Sequence, residues 1–310
     1  MKKLIFLSLI MLAANLIFAQ TTADEHKWTA TVKVVDENGT PVPRATVKVG
    51  YYTNNTSVDI EGLTDTNGII VTDHTTSTFN YVEYTLSFGV EKEGYYGTRS
   101  KCDLGLPYDA SKWNPTVTLV LKQIGKPVAM YARWVNENPP TLGQPIGYDL
   151  MMGDWVCDGH KGISTDIVFQ KWAYRKSGAD YEYKVKVTFP KNGDGLQTYT
   201  IPDLEKGSGL RSPHEAPLDG YQPELNKERS AHPDQPAKND DDPNRIYLFR
   251  VRTVLDNEGK VVSAHYGKIY GDFMQFRYYL NPTPNDRNVE FDPKQNLIHD
   301  LQPLEQVSAP

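Results

Sequence analysis

The clearest pattern in the chain is a period of two. Val32 and Val34 flank Lys33, and Val47 and Val49 flank Lys48, so residues 30–35 and 45–52 each read as a strand with one apolar and one wet face. Between them lie Asn38-Gly39, Pro41 and Pro43, which favour a reversal and deny a ladder two backbone donors. A second turn, TDTNGII at residues 64–70, feeds another short strand. Tyr84, Leu86, Phe88 and Val90 then alternate with polar neighbours, and residues 117–121 supply a last strand before Gly125 and Pro127 break the pattern. Several short strands at this spacing predict a β-sandwich over residues 26–124.

From Gly125 onward the strand candidates lengthen. PVAMYARWV, YEYKVKVTF, RIYLFRVRTVL, VVSAHYGKIY and FMQFRYYL follow one another, and in the second of these Tyr181, Tyr183, Val185, Val187 and Phe189 share a face. Asn257 and Gly259 make LDNEGK a hairpin link. Nothing reads as a capped helix, so the fold class is all-β, with a second β-sandwich-like domain over residues 125–310. Residues 202–244 hold seven prolines, an acidic run at Asp240, Asp241 and Asp242, and few large apolar side chains. That composition predicts a long proline-rich acidic loop, disordered or loosely draped. The tail after Pro303 is expected to fray.

Composition adds compartment and partners. Lys2 and Lys3, an apolar run, and Ala19 before Gln20 make residues 1–19 a secretory signal peptide, and no later stretch is apolar enough for a transmembrane segment. The mature chain is therefore expected to be secreted or periplasmic. A formal charge of -6 and a pI near 5.7 argue against nucleic acid as a partner. The 19 tyrosines suit pleated surfaces. The two cysteines, Cys102 and Cys157, lie in the chain's two halves, and in an oxidising compartment they are expected to form a disulfide between the domains. Free buried thiols are the competing reading.

The succession DENGTPVPRATV, LTDTNG and YTLSFGVEKEGYY resembles the carboxypeptidase regulatory-like domain. Gly39, Pro41, Ala45 and Val47 match its first turn and strand, Asp65 and Gly68 its second turn, and Gly94 and Tyr95 its corner. The resemblance covers residues 28–122 and implies a seven-stranded Ig/transthyretin-like sandwich with no active site of its own. Members of that group sit beside catalytic, transport or adhesion modules in exported proteins. The stretches IGYDLMMGDWV and FRYYLNPTPNDRNVEFD resemble an uncharacterised region that follows such sandwiches.

Motifs for catalysis are missing from the sequence. No histidine has the spacing of a zinc-binding pair, no Gly-x-Ser-x-Gly elbow occurs, and Gly207-Ser208-Gly209 falls within the proline-rich stretch. No cofactor fingerprint is present, so no cofactor and no metal are expected. The best unadvertised cluster is Asp154, Asp158 and His160, which can be read as an acid, base or metal group, or as a turn after a strand. Asp286-Arg287 can form a recognition loop or an ion pair pinning the returning chain. Tyr95, Tyr96, Tyr108 and Trp113, in connections of the first domain, are the candidate ligand-binding rings, whereas Trp28 and Trp172 are assigned to cores. The functional expectation is an exported, non-catalytic binding or accessory protein contacting a glycan, an envelope component or a partner protein. The alternative is a metal-assisted or carboxylate-driven hydrolase in the second domain.

Overall fold

The computed structural model describes residues 25–53, 57–77, 84–104 and 114–310. The segment expected to be a signal peptide, residues 1–19, and Tyr108 and Trp113 lie outside the described residues. Within them the regular structure is almost entirely β-strand, arranged in several sheets, with short 3-10 turns at Asp203–Glu205 and Pro303–Glu305. No helix among the described residues is long and apolar enough to cross a membrane, which leaves membrane-spanning strands unaddressed.

Eight strands precede residue 124: β1 (Glu25–Asp36), β2 (Thr46–Thr53), β3 (Ser57–Leu63), β4 (Ile69–Ser77), β5 (Tyr84–Glu91), β6 (Tyr95–Tyr96), β7 (Thr98–Asp103) and β8 (Thr116–Gln123). They make two four-stranded sheets, ordered β4-β1-β8-β6 and β3-β2-β5-β7. The alternation works as its period requires: Trp28, Ala30, Val32 and Val34 from one sheet and Val47, Val49, Leu86 and Phe88 from the other meet in one core. Two of the turns share a construction. Asp36 Oδ1 accepts the N–H groups of Asn38 and Thr40, as Asp65 Oδ1 accepts those of Asn67 and Ile69, and Gly39 and Gly68 follow at φ 78° and 73°. Gly68 is also spatially obligatory, because a Cβ there would stand 2.4 Å from the Val34 carbonyl oxygen.

The remaining strands are β9 (Val128–Val135), β10 (Ile146–Asp149), β11 (Asp154–Val156), β12 (Ile167–Ser177), β13 (Asp180–Thr188), β14 (Gly195–Thr200), β15 (Glu224–His232), β16 (Gln235–Asn239), β17 (Arg245–Leu255), β18 (Val261–Gly271), β19 (Phe276–Leu280) and β20 (Phe291–Asn296). They form two six-stranded sheets, β11-β10-β12-β13-β15-β16 and β14-β17-β18-β19-β9-β20. A core rich in edge-to-face aromatics, including Tyr148, Trp155, Phe169 and Phe276, fills the space between them. The second sheet is buried on its other face too, which explains the unbroken apolar run Ile246, Tyr247, Leu248, Phe249 in β17.

What covers that other face corrects one expectation. Residues 202–244 are ordered: they contain β15, paired along its length with β13, and β16 beyond it. Part of the cover comes from this segment, where Ala216 is buried against Leu248 and Tyr266, and the neighbouring Ile201 packs with Ile246 and Tyr279. The tail is likewise held, since Val307 is buried and Glu305 accepts from Arg133 at 2.6 Å.

The same segment joins the two halves. Arg99 N–H donates to the Gly207 carbonyl and Gly209 N–H to the Gly97 carbonyl, so Gly207-Ser208-Gly209 is a backbone seam. A Cβ on Gly207 would stand 1.7 Å from the Arg99 carbonyl oxygen. Beside it, Glu290 is buried and accepts from Tyr96 Oη at 2.8 Å and Gly125 N–H at 3.0 Å, while His214 bridges Glu290 and Glu37. Lys122 and Lys268, both fully buried, converge on Ser212, through its carbonyl and its hydroxyl respectively, each at 3.1 Å. Lys268 lies over the rings of Tyr270 and Tyr279, and burial pushes its ammonium down to about 7.

Candidate functional site

The polar cluster named from sequence is only partly assembled. Asp154 and His160 meet, with Nδ1 2.9 Å from Oδ1, but the same carboxylate also accepts the backbone N–H groups of Trp155 and Lys161. Burial works to raise the Asp154 carboxyl, and these donors outweigh it, leaving it below its ordinary value. Asp158 is exposed in the adjoining turn and is joined to neither by a hydrogen bond among the described residues. The arrangement closes the chain after β11. Among the described residues no group of three or more His, Cys, Asp or Glu side chains is placed to hold a metal ion.

The candidate rings of the first half are also engaged. Tyr95 is half-buried against its core, and the Tyr96 hydroxyl is committed to Glu290. Neither contributes to an exposed aromatic patch. Cys102 and Cys157 are both free thiols, and the expected bridge is not made: each packs against a different core, Cys102 in the first half and Cys157 in the second. Arg287 takes its structural role, pairing with Glu215 and donating to the Ala216 carbonyl at 2.7 Å.

The strongest concave site lies elsewhere, where β12, β13 and β15 run past the end of the core. Cross-strand register places four rows on their inner face: Phe169, Val187, Leu225; then Lys171, Val185, Lys227; then Ala173, Tyr183, Arg229; then Arg175, Tyr181, Ala231. The first row is core. The second is the boundary, and from the third the opposing sheet no longer covers the strands, leaving a cleft of about 660 Å³. Its far wall comes from the turn between β18 and β19, with Asp272 and Met274, and its rim from the segment after β9, with Asn136 and Leu142.

Lys171 marks the floor. Its side chain is 1% exposed, and its ammonium lies 5.7 Å from the Phe169 ring centre and 6.0 Å from that of Phe276. It donates to the Met274 carbonyl at 3.1 Å, and burial pushes it down to about 8. Tyr181 and Tyr183 lie side by side, ring centres 5.6 Å apart, and the Arg229 guanidinium sits 6.0 Å above Tyr181. Trp172 also lines the cleft and is 38% exposed, which corrects its assignment to the core. Strand parity explains the error, because Phe169 and Lys171 point inward and Trp172 therefore points away. The sequence signal for the site was present: a lysine and an arginine at inward positions of β12, and two tyrosines on the same face of its neighbour β13.

Neither a protein-family model nor a curated protein matches the chain. Among solved structures, a protein of unknown function from Bacteroides fragilis NCTC 9343 aligns over 85% of this chain and 96% of its own, at 8% identity and a TM-score of 0.19.

Proposed function

We propose that the protein is an exported, non-catalytic binding or accessory module whose contact surface is the cleft over β12, β13 and β15. In this reading residues 1–19 are removed on export, and the first eight strands form a sandwich of the carboxypeptidase regulatory-like kind. That sandwich carries a second, twelve-stranded β unit, which presents the cleft to a glycan, an envelope component or a partner protein. The observation that carries it is the pair of part-exposed rings, Tyr181 and Tyr183, on one face of a strand paired on both sides and therefore rigid. Aromatic side chains offer large contact area and lose little conformational freedom on binding. The seam at Gly207-Ser208-Gly209 would hold the first unit as a fixed spacer.

The test is a glycan array and a pull-down from envelope extract with the mature chain. Tyr183→Ala should abolish retained ligand, and Asp154→Ala should leave it intact. Retention that survives Tyr183→Ala but fails in Asp154→Ala would move the site to the turn after β11 and revive the hydrolase reading.

A further inference from the structure

The charges around the cleft do not balance once their internal partners are counted, and this identifies a ligand class. Three carboxylates line it. Asp241 is paired with Lys227 at 2.8 Å, Glu228 with Lys238 at 2.8 Å, and Asp272 accepts the backbone N–H groups of Met274 and Gln275. Four cations line it as well, and of these Lys227 alone has a carboxylate partner among the described residues. Lys171, Arg175 and Arg229 have none there. Lys171 contacts ring faces and a single carbonyl and feels the Asp272 and Glu137 carboxylates only at a distance, without an ion pair, Arg229 contacts the Tyr181 ring, and Arg175 stands exposed at the outer row.

A buried ammonium with one acceptor keeps donor capacity unspent, and leaving such a group uncompensated is costly. Among the other buried lysines Lys122 has Glu205 and Lys227 has Asp241, while Lys268, enclosed in the core, has the Ser212 hydroxyl and two tyrosine rings. Lys171 differs in lying on the wall of an open cleft. The three unpaired cations fall on successive inner-face rows of one sheet, so they follow the line of the cleft. Successive paired positions on one face of a strand are about 6.6–6.8 Å apart. The tyrosine pair lies on the strand between β12 and β15 and supplies flat apolar rings 5.6 Å apart.

We propose that the cleft binds an acidic polysaccharide, a chain of sugar rings bearing carboxylates, with Arg175 and Arg229 pairing to successive carboxylates and Lys171 to the most deeply seated one. This rests on the cleft being the binding surface, and it names the ligand of that surface. Sugar is favoured over an acidic peptide because the part-exposed rings of Tyr181 and Tyr183 suit stacking on the C–H faces of pyranoses. An extended peptide would instead be recognised by open backbone ladders, and the backbone of β13 is already paired on both sides.

The experiment is equilibrium binding of the mature full-length chain to polygalacturonate, to its methyl ester, and to poly-glutamate, at two salt concentrations. Polygalacturonate should bind at least about tenfold more tightly than the ester, and more weakly as salt rises. Arg229→Gln and Arg175→Gln, both at exposed positions, should each weaken it about fivefold to tenfold without altering thermal unfolding. Lys171→Met should weaken it further. Equal binding of acid and ester, lost in Tyr183→Ala, would overturn the acidic-ligand inference while leaving the cleft as the binding surface. Tighter binding of poly-glutamate than of any polygalacturonate would overturn it in favour of an acidic protein. Absence of any binding that depends on Tyr183, in these assays and on the array, would overturn the inference and the proposed function together.

Discussion

Glu290→Ala tests whether the seam between the two halves is a structural element or a passive contact. Glu290 is 2% exposed and collects three donors: Tyr96 Oη, Gly125 N–H and His214 Nδ1. Removing the carboxylate leaves the Tyr96 hydroxyl, itself half-buried, and a backbone N–H without acceptors, and strips the nearby Lys268 ammonium of its favourable charge. Hydrogen bonds to a charged group are worth about 1.5–3 kcal/mol each, and breaking a buried charge pair by deleting one partner costs about 3–5 kcal/mol. These figures overlap rather than add, because the donors share one acceptor. The expected loss is therefore about 3–5 kcal/mol. Glu290→Gln, which keeps one acceptor oxygen, should lose roughly half as much. Urea unfolding followed by fluorescence and by circular dichroism measures it, with coincident transitions required before one free energy is quoted. A Glu290→Ala protein within about 1 kcal/mol of the parent would show that the seam is held by its backbone bonds alone.

The same seam sets a pH window. Hydrogen bonding to Glu290 first, opposed by burial and aided by Glu37, raises His214 above 6.5, so its contribution is complete below that value and fades as pH climbs through the raised one. Burial pushes Glu290 up, but donation from His214, Tyr96 and Gly125 prevails and holds it below 4.5; its contribution is present above 4.5 and fades as pH falls through the lowered value. The seam should be strongest between those limits, and thermal unfolding from pH 3 to 9 should show the fall on both sides flatten in a His214→Gln, Glu290→Gln double variant. Gly39 and Gly68 are a matched pair: both have positive φ, but only Gly68 faces a carbonyl. Gly39→Ala should cost about 1–2 kcal/mol by calorimetry and Gly68→Ala at least twice that, equal losses refuting the steric argument. Denatured, unreduced protein should titrate with two thiols; none would restore the disulfide.

Much of the strand content could be read from the sequence, because period-two alternation of the Val32, Val34 or Leu86, Phe88 kind has few other solutions. The chief misreading, the stretch 202–244, shows where composition fails. Counting apolar residues says whether a segment can build its own core, but Ala216 was needed only to cap a face already built by others, with the Tyr221 ring beside it. That demand arises from β17 and β18, and their double-sided burial is a tertiary fact. The cleft was half legible. Lys171 and the two tyrosines share an inner face that alternation reveals, whereas Arg229 sits on a strand with no apolar rhythm, which exists because β13 offers it an edge.

The position of β9 has a consequence for the order of assembly. It is the first strand of its sheet to be synthesised, yet its neighbours are β19, paired from Phe276, and β20, joined in parallel from Phe291. Val128–Val135, carrying buried Met130, Ala132 and Val135, has no ladder partner until nearly the whole chain has emerged. Closing so long a loop precedes any reward from the contacts it makes, so this half should fold slowly and only after the last strand is free. A chain crossing a membrane as a thread would arrive with that strand exposed. It would be the segment a holding chaperone should engage, and a stop codon before Phe291 should leave the second half unfolded while the first eight strands, complete by Gln123, still close.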